Sequence, residues 1–195
     1  MGKNLLTPEM NALRPDLGEA VSILEGKAPY GAVSLSSREN TRYLVDNNQE
    51  RVMPGEPTAG VILTAFDGHT MREKGLGGFH RDELLKSAKD FVTRINFDKN
   101  GKLDPGKERV EDFQTEMEHD PAEVSTQDKL DYLREVNQRV KKIDSRIVNA
   151  RVSFLEMREK TVFKNRVVDL AQDVQRVHMS IMVTAMGEKG VVMDW

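Results

Sequence analysis

The chain has no cysteine among its 195 residues, which excludes disulfides, thiolate nucleophiles and Cys-ligated zinc. No window approaches the ~18 consecutive apolar residues of a membrane span. The start, Met1 to Thr7, also lacks the apolar stretch of a signal peptide. Leu6 stands where N-myristoylation needs Ser or Thr. A charge excess is missing too: 29 basic residues face 32 acidic ones, a net charge of -3, which argues against nucleic acid held by bulk charge. What is present, 38% hydrophobic and 31% charged residues with 14 Gly and 7 Pro, is the composition of a folded globular chain. The expectation is a cytoplasmic protein with no membrane and no nucleic-acid partner.

Thr7 can cap a first helical turn with Pro8 at its first position, and Pro15 interrupts it. A second helix from Asp16 to Leu24 repeats Leu17, Ala20, Val21 and Leu24 at helical spacing and stops at Gly26. Runs rich in β-branched or aromatic residues at 32–35, 41–45 and 61–66 read as strands, punctuated by turns at Asp46-Asn47-Asn48 and Pro54-Gly55-Glu56-Pro57. Asp67-Gly68 marks a tight turn into a strand over 69–74, which Gly75-Leu76-Gly77-Gly78 ends. A helix from Arg81 to Ile95 follows, with Leu84, Leu85, Ala88, Phe91, Val92 and Ile95 on one face. Residues 98–124 are polar and acidic and read as a connection. Ser125-Thr126-Gln127-Asp128 resembles a capping box, with Asp in place of Glu, opening a helix that should bury Leu130, Leu133, Val136, Val140 and Ile143. Strands are expected at 150–157, 161–164 and 177–186.

A shift of 120 residues aligns Leu35, Arg38, Glu39 and Thr41 with Leu155, Arg158, Glu159 and Thr161, and Thr64-Ala65 with Thr184-Ala185. An amphipathic helix precedes each region. The expected fold is therefore α+β: a mixed sheet with flanking helices, built from two helix-plus-β-meander units related by internal duplication. Residues 1–97 would form the first unit, 98–124 the connection, and 125–195 a second, incomplete unit of the same domain. By the same shift a strand is expected from Lys189 to Asp194 and a helix beyond Trp195, so the chain reads as the front portion of a longer protein.

The four histidines, His69, His80, His119 and His178, show no H-E-x-x-H pattern and no helical i,i+3 or i,i+4 pair. Asp98-Lys99-Asn100-Gly101-Lys102-Leu103-Asp104 imitates a calcium loop, but Lys102, Leu103 and Arg109 occupy the positions of a ligand, the obligatory Gly and the bidentate Glu. A turn is the better reading. Gly75 to Gly78 lacks the Lys and Ser/Thr of a phosphate loop. Arg139, Lys141, Lys142 and Arg146 suit the negative end of a helix. On residues alone, no catalytic, cofactor-binding or metal-binding residue is identified, and no cofactor is expected in this chain.

In the second half, Asp120-Pro121, Ser125, Lys129-Leu130-Asp131-Tyr132-Leu133-Arg134 and Ala150-Arg151-Val152-Ser153-Phe154, followed by Gln172 to Val177, resemble the amino-terminal region of the TldD/PmbA (TldE) family. Tyr30 to Val33, Ala59-Gly60-Val61 and Phe66-Asp67-Gly68 agree in layout. The Asp-Pro and Lys-Leu-Asp stretches resemble the TldD-like branch. That resemblance implies the amino-terminal domain of a zinc metallopeptidase that cleaves unstructured peptides, also called a modulator of DNA gyrase. Members pair as TldD–TldE heterodimers or as homodimers. This domain would help form the peptide tunnel and the subunit interface; the alternative is a non-catalytic PmbA/TldE-like partner or a peptide-binding module. In the active branch an H-E-x-x-x-H helix holds zinc. This sequence has no such helix, so the chain alone is expected to be inactive. One departure is local: Asn165-Arg166-Val167-Val168 stands where the family often has Ser and Gly.

Overall fold

The computed structural model describes residues 5–98, 100–188 and 190–194. The fold is α+β, with helices flanking a mixed sheet. The helices are α1 (Pro8–Leu13), α2 (Leu17–Glu25), α3 (Arg81–Thr93) and α4 (Thr126–Lys141). The strands are β1 (Tyr30–Val45), β2 (Glu50–Pro54), β3 (Thr58–Phe66), β4 (Met71–Gly77), β5 (Arg109–Gln114), β6 (Ile147–Lys164), β7 (Val168–Gly187) and β8 (Gly190–Asp194). Their order is β4-β3-β1-β6-β7-β5, with β2 also paired to β1 and β8 to β7. β5 runs parallel to β7, whereas the β1–β2, β1–β3, β3–β4 and β7–β8 pairs are antiparallel.

Two compact units divide the chain, and neither is one continuous stretch. One comprises residues up to Arg38, Pro57–Thr115 and Glu159–Val174; the other comprises Glu39–Glu56, Glu116–Arg158 and the residues from Gln175 on.

In the first unit the expected helix signals operate as read. The Thr7 hydroxyl accepts from the Met10 N–H, and Pro8 sits where no intrahelical donor is needed. Pro15 forces a single 3-10 turn at Arg14–Asp16 before α2 begins. Leu17, Ala20, Val21 and Leu24 of α2 and Leu84, Leu85, Ala88, Phe91 and Val92 of α3 are buried with Leu6, Met10 and Leu13. Val33 and Leu35 of β1 and Val61, Leu63 and Ala65 of β3 belong to the same apolar cluster. Each fully buried Leu there contributes about 2 kcal/mol relative to exposure.

The calcium-like stretch is a turn docked on the β3–β4 connection. The Asp98 N–H donates to the Asp67 carbonyl at 2.7 Å. A Cβ at Gly101 would collide with the Gly68 backbone, and Gly68 has φ +105°, so both positions need glycine. Lys99, named in the sequence pattern, lies outside the described residues.

Asn165 explains the departure from the family pattern. Its side-chain oxygen accepts from the Val167 and Val168 N–H groups at 2.9 and 2.7 Å. This Asx turn reverses the chain from β6 to β7 without Gly.

In the second unit the Ser125 box forms. The Ser125 hydroxyl accepts from the Asp128 N–H at 3.1 Å and donates to the Asp128 carboxylate at 2.7 Å. Leu133 of α4 is buried with Tyr43, Val45 and Val152, and Leu130, Val136, Phe154 and Ile181 pack against them. Ile143 departs from the expected stripe. It lies beyond the end of α4 and is 77% exposed. Asn137 occupies the buried face instead and donates to the Ala150 carbonyl.

The strand reading needs five corrections, the first being that the strand expected at 177–186 runs from Val168 to Gly187 as β7. The runs at 32–35 and 41–45 are one strand, because polar Ser36, Ser37 and Arg38 still pair with Gly60, Ala59 and Thr58. The runs at 150–157 and 161–164 likewise join as β6. Gly75 and Gly77 lie inside β4, and the positive φ of Gly78 ends it. β2 and β5 were not foreseen. Both are largely exposed, and charged residues mask any alternation.

The 120-residue shift has one counterpart in strand register. β3–β4 pairs Leu63 with Lys74, and β7–β8 pairs Val183 with Asp194, each residue 120 positions later. Asp67 and Thr70, whose backbone bond closes the first turn, stand 120 positions before the Gly187–Gly190 pair. β8 falls on the expected second-unit strand; its expected first residue, Lys189, and Trp195 lie outside the described residues.

Candidate functional site

The second unit holds a cleft of about 130 Å³ lined by Glu39, Asn40 and Thr41 of β1, Ala122, Glu156 to Arg158 of β6, and Gln175. β1 and β6 supply the strand residues of this cleft, and a short turn at Pro121–Glu123 adds Ala122. The Asp120 side chain caps that turn by accepting from the Ala122 N–H at 3.0 Å. The Arg158 guanidinium lies 4.0 Å from the Asp120 carboxylate.

Glu156 links this cleft to a half-buried polar cluster. Its carboxylate accepts from the Tyr43 hydroxyl at 2.9 Å and from Lys129 Nζ at 2.8 Å. Lys129 also lies over the Tyr43 ring, 4.9 Å from its centroid, a cation–π geometry. Burial acts to lower the Lys129 pKa, but bonding to Glu156 and Tyr43 prevails and raises it above the ordinary lysine value. Lys129 is therefore held as a cation, paired with the Glu156 carboxylate. The cluster is suited to holding α4 on β1 and β6, not to proton transfer.

Sequence reading missed this cluster, although one signal was available. Lys129 stands four residues before buried Leu133, on the helix face that packs inward.

A second polar network lies in the first unit. Arg14 bonds the Asp169 carboxylate at 2.9 Å and Asp112 at 3.0 Å, and Lys164 bonds Asp169 at 2.9 Å. Burial raises the Asp169 pKa, but the Lys164 and Arg14 hydrogen bonds outweigh it and hold the carboxyl below its ordinary value. Lys160 donates to the Leu5 carbonyl at 2.8 Å and approaches buried Asp173 at 3.3 Å. Together these cations anchor the α1 region within its unit.

The structure separates the histidines rather than assembling them. His69 lies 3.5 Å from Asp98 and is three-quarters exposed. His80 precedes α3 as its N-cap residue without a side-chain capping bond. His119 is exposed beside Glu118, and His178 is exposed on β7. Among the described residues, no group of three or more His, Asp or Glu is placed to hold a metal ion. No described helix is long and apolar enough to cross a membrane.

The class defined by these features is a helix-flanked mixed sheet whose polar clusters are structural. Solved structures share that fold. A Bacteroides thetaiotaomicron protein described as a candidate modulator of DNA gyrase matches with TM-score 0.65 and 18% identity, covering 93% of this chain and 42% of its own. A Thermotoga maritima protein with a similar description gives TM-score 0.62 and 14% identity, covering 84% of this chain and 37% of its own. TldE from Thermococcus kodakarensis gives TM-score 0.60 and 12% identity, covering 90% of this chain and 41% of its own. The chain thus spans about two fifths of the length of these structures. No curated protein matches it.

The sequence comparison adds a family model over part of the chain. Residues 119–195 match the family described as the PmbA/TldA metallopeptidase central domain, which bears out the TldD/PmbA resemblance.

Proposed function

We propose that this chain is a non-catalytic scaffold portion of a TldD-like zinc metallopeptidase acting in the cytoplasm on unstructured peptides. It helps enclose the peptide tunnel and supplies part of the interface with a TldD/TldE-type partner. The observation carrying this reading is the metallopeptidase-family match of residues 119–195, which contain α4, β6, β7 and β8. The residues fit a supporting role. Lys129–Glu156 and Arg14–Asp169 are mutually neutralised pairs, and the sequence lacks the H-E-x-x-x-H zinc helix. Zinc would polarise the scissile carbonyl and activate water elsewhere in the assembly; no residue here is assigned to it.

A PmbA/TldE-like, non-catalytic partner is the second reading, supported by the shared fold with TldE. The decisive experiment assays an unstructured peptide with this chain alone and with the full polypeptide that contains it, each without a partner, with a TldD-type partner, and with a TldE-type partner. The first reading expects cleavage to require zinc and a TldE-type partner, in the polypeptide that contains this chain and its own zinc helix. Cleavage dependent on the partner's zinc helix selects the second reading. Zinc-independent cleavage by the isolated chain refutes both.

A further inference from the structure

The residues that follow α3 line a second cleft, of about 500 Å³, together with Lys27, Val92 and Thr93. The loop contributes Ile95, Asn96 and Phe97, and all six residues belong to the first unit. Half of the lining is apolar. Val92 is buried, and Ile95 and Phe97 are half-buried against the core that also contains α2. Backbone bonds fix both sides of the cleft. The Lys27 and Ala28 N–H groups donate to the Leu24 carbonyl at 3.2 and 2.9 Å, and next to Phe97 the Asp98 N–H donates to the Asp67 carbonyl at 2.7 Å. The polar lining divides in two. The Thr93 hydroxyl is engaged, donating to the Asp90 carbonyl at 2.8 Å. The Lys27 ammonium and the Asn96 amide are exposed, and neither side chain has a hydrogen-bond or ion-pair partner among the described residues.

We propose that this cleft binds the C-terminal residue of a peptide, an apolar side chain carrying a free α-carboxylate. Its volume falls within the roughly 300–1,000 Å³ of ordinary small-ligand sites, enough for one or two residues. Val92, Ile95 and Phe97 offer apolar surface for the side chain, whose burial supplies the attraction. Charge selects the head group: the unpaired Lys27 ammonium complements a carboxylate and gains a charge-assisted hydrogen bond from it. Asn96 distinguishes a peptide from a fatty acid. Its amide both donates and accepts, matching the last peptide group of the ligand. A fatty acid satisfies Lys27 and the apolar lining but leaves Asn96 unmatched. The inference goes beyond the metallopeptidase reading, because the cleft lies outside the residues 119–195 that carry that reading.

The probe is a labelled hexapeptide ending in leucine with a free carboxylate. Binding to the full chain is read by fluorescence anisotropy. Saturable binding is expected, weakened at least tenfold by amidation of the peptide's C-terminus and at least fivefold by a terminal glycine. Lys27→Met keeps the apolar stem; it should weaken the free acid at least fivefold and leave the amidated peptide within twofold. Lys27→Arg should bind within threefold of wild type, and Asn96→Ala should weaken binding severalfold. Lys86→Met removes an exposed cation of α3 that does not line the cleft and should leave affinity within twofold. Circular dichroism verifies that each variant remains folded. No saturable binding overturns the proposal, as does equal binding of the acid and the amide, or equal loss in the Lys27 and Lys86 variants. Tighter binding of decanoate than of the free-acid peptide also overturns it, because the ligand would then be a fatty acid. Each result is independent of whether any assembly cleaves peptides.

Discussion

The hairpins β3–β4 and β7–β8 have identical registers at a spacing of 120 residues, yet Leu63 is fully buried while its counterpart Val183 is only half-buried. Register is a local property: turn position and backbone pairing determine which residues oppose one another. Burial instead depends on what packs against the resulting face. In the first unit α2 and α3 contribute to a broad apolar cluster; in the second, the buried cluster found among the described residues is the smaller one of Tyr43, Val45, Leu133 and Val152. The same strand pairing therefore goes with full burial at Leu63 and half burial at Val183.

The widest separation between the hairpins should come from Leu63→Ala and Val183→Ala. The first is expected to cost about 3 kcal/mol through lost burial and a cavity, the second less than about 1 kcal/mol. Denaturant unfolding monitored by circular dichroism measures both. Equal losses would mean that the two faces are equally covered in solution. The second unit should depend relatively more on its polar anchor. Lys129→Ala leaves Glu156 half-buried without its cation and is expected to cost about 2 kcal/mol.

Asp169 tests the corresponding anchor in the first unit. Asp169→Asn removes a charge-assisted acceptor for Arg14 and Lys164 and should cost about 1–2 kcal/mol at neutral pH. The Asp169 pKa is depressed in the folded state. Its stabilisation is therefore present above the ordinary carboxylate pKa and disappears as pH falls through the folded value. The variant should lack this part of the acid-induced stability loss; unfolding measured from pH 7 to 2 provides the check. If wild type and variant lose stability in parallel on acidification, the Asp169 pairing is not formed in solution.

The smallest comparison concerns the strand surfaces themselves. A Cβ at Gly60 would lie 2.5 Å from the Leu76 carbonyl oxygen, so Gly60→Ala should cost about 1–2 kcal/mol through backbone displacement. Ser180 stands 120 positions later, and its hydroxyl meets that of Ser153 at 2.8 Å on an exposed surface. Ser180→Ala should change stability by no more than about 0.5 kcal/mol. Thermal unfolding of the two variants resolves this difference. A larger effect at Ser180 would show that its sheet surface is more constrained than that of β3.

Helix ends were legible because their signals are local. Thr7, Pro8, Pro15 and the Ser125–Asp128 box specify where backbone donors are satisfied or absent, and each operates where the sequence placed it. Strand extent was less legible. Ser36 to Arg38 lost the apolar alternation but continued to pair with β3; β5 followed an exposed, charged stretch and acquired its identity from pairing with β7. The polar cluster was harder still. Tyr43, Lys129 and Glu156 are distant in sequence, and only chain folding brings their side chains within bonding distance.

By itself, the sequence determined the α+β class, the helix caps and breaks, and the family resemblance, because these reside in short-range patterns of polarity, hydrogen bonding and residue type. It also carried the 120-residue recurrence that places equivalent residues on the two hairpins. Only the tertiary structure decided that Leu63 would be buried in a cluster that includes side chains of α2 and α3, while Val183 would be only half-buried. Burial is a property of neighbours brought together across the chain, and no local pattern contains those neighbours.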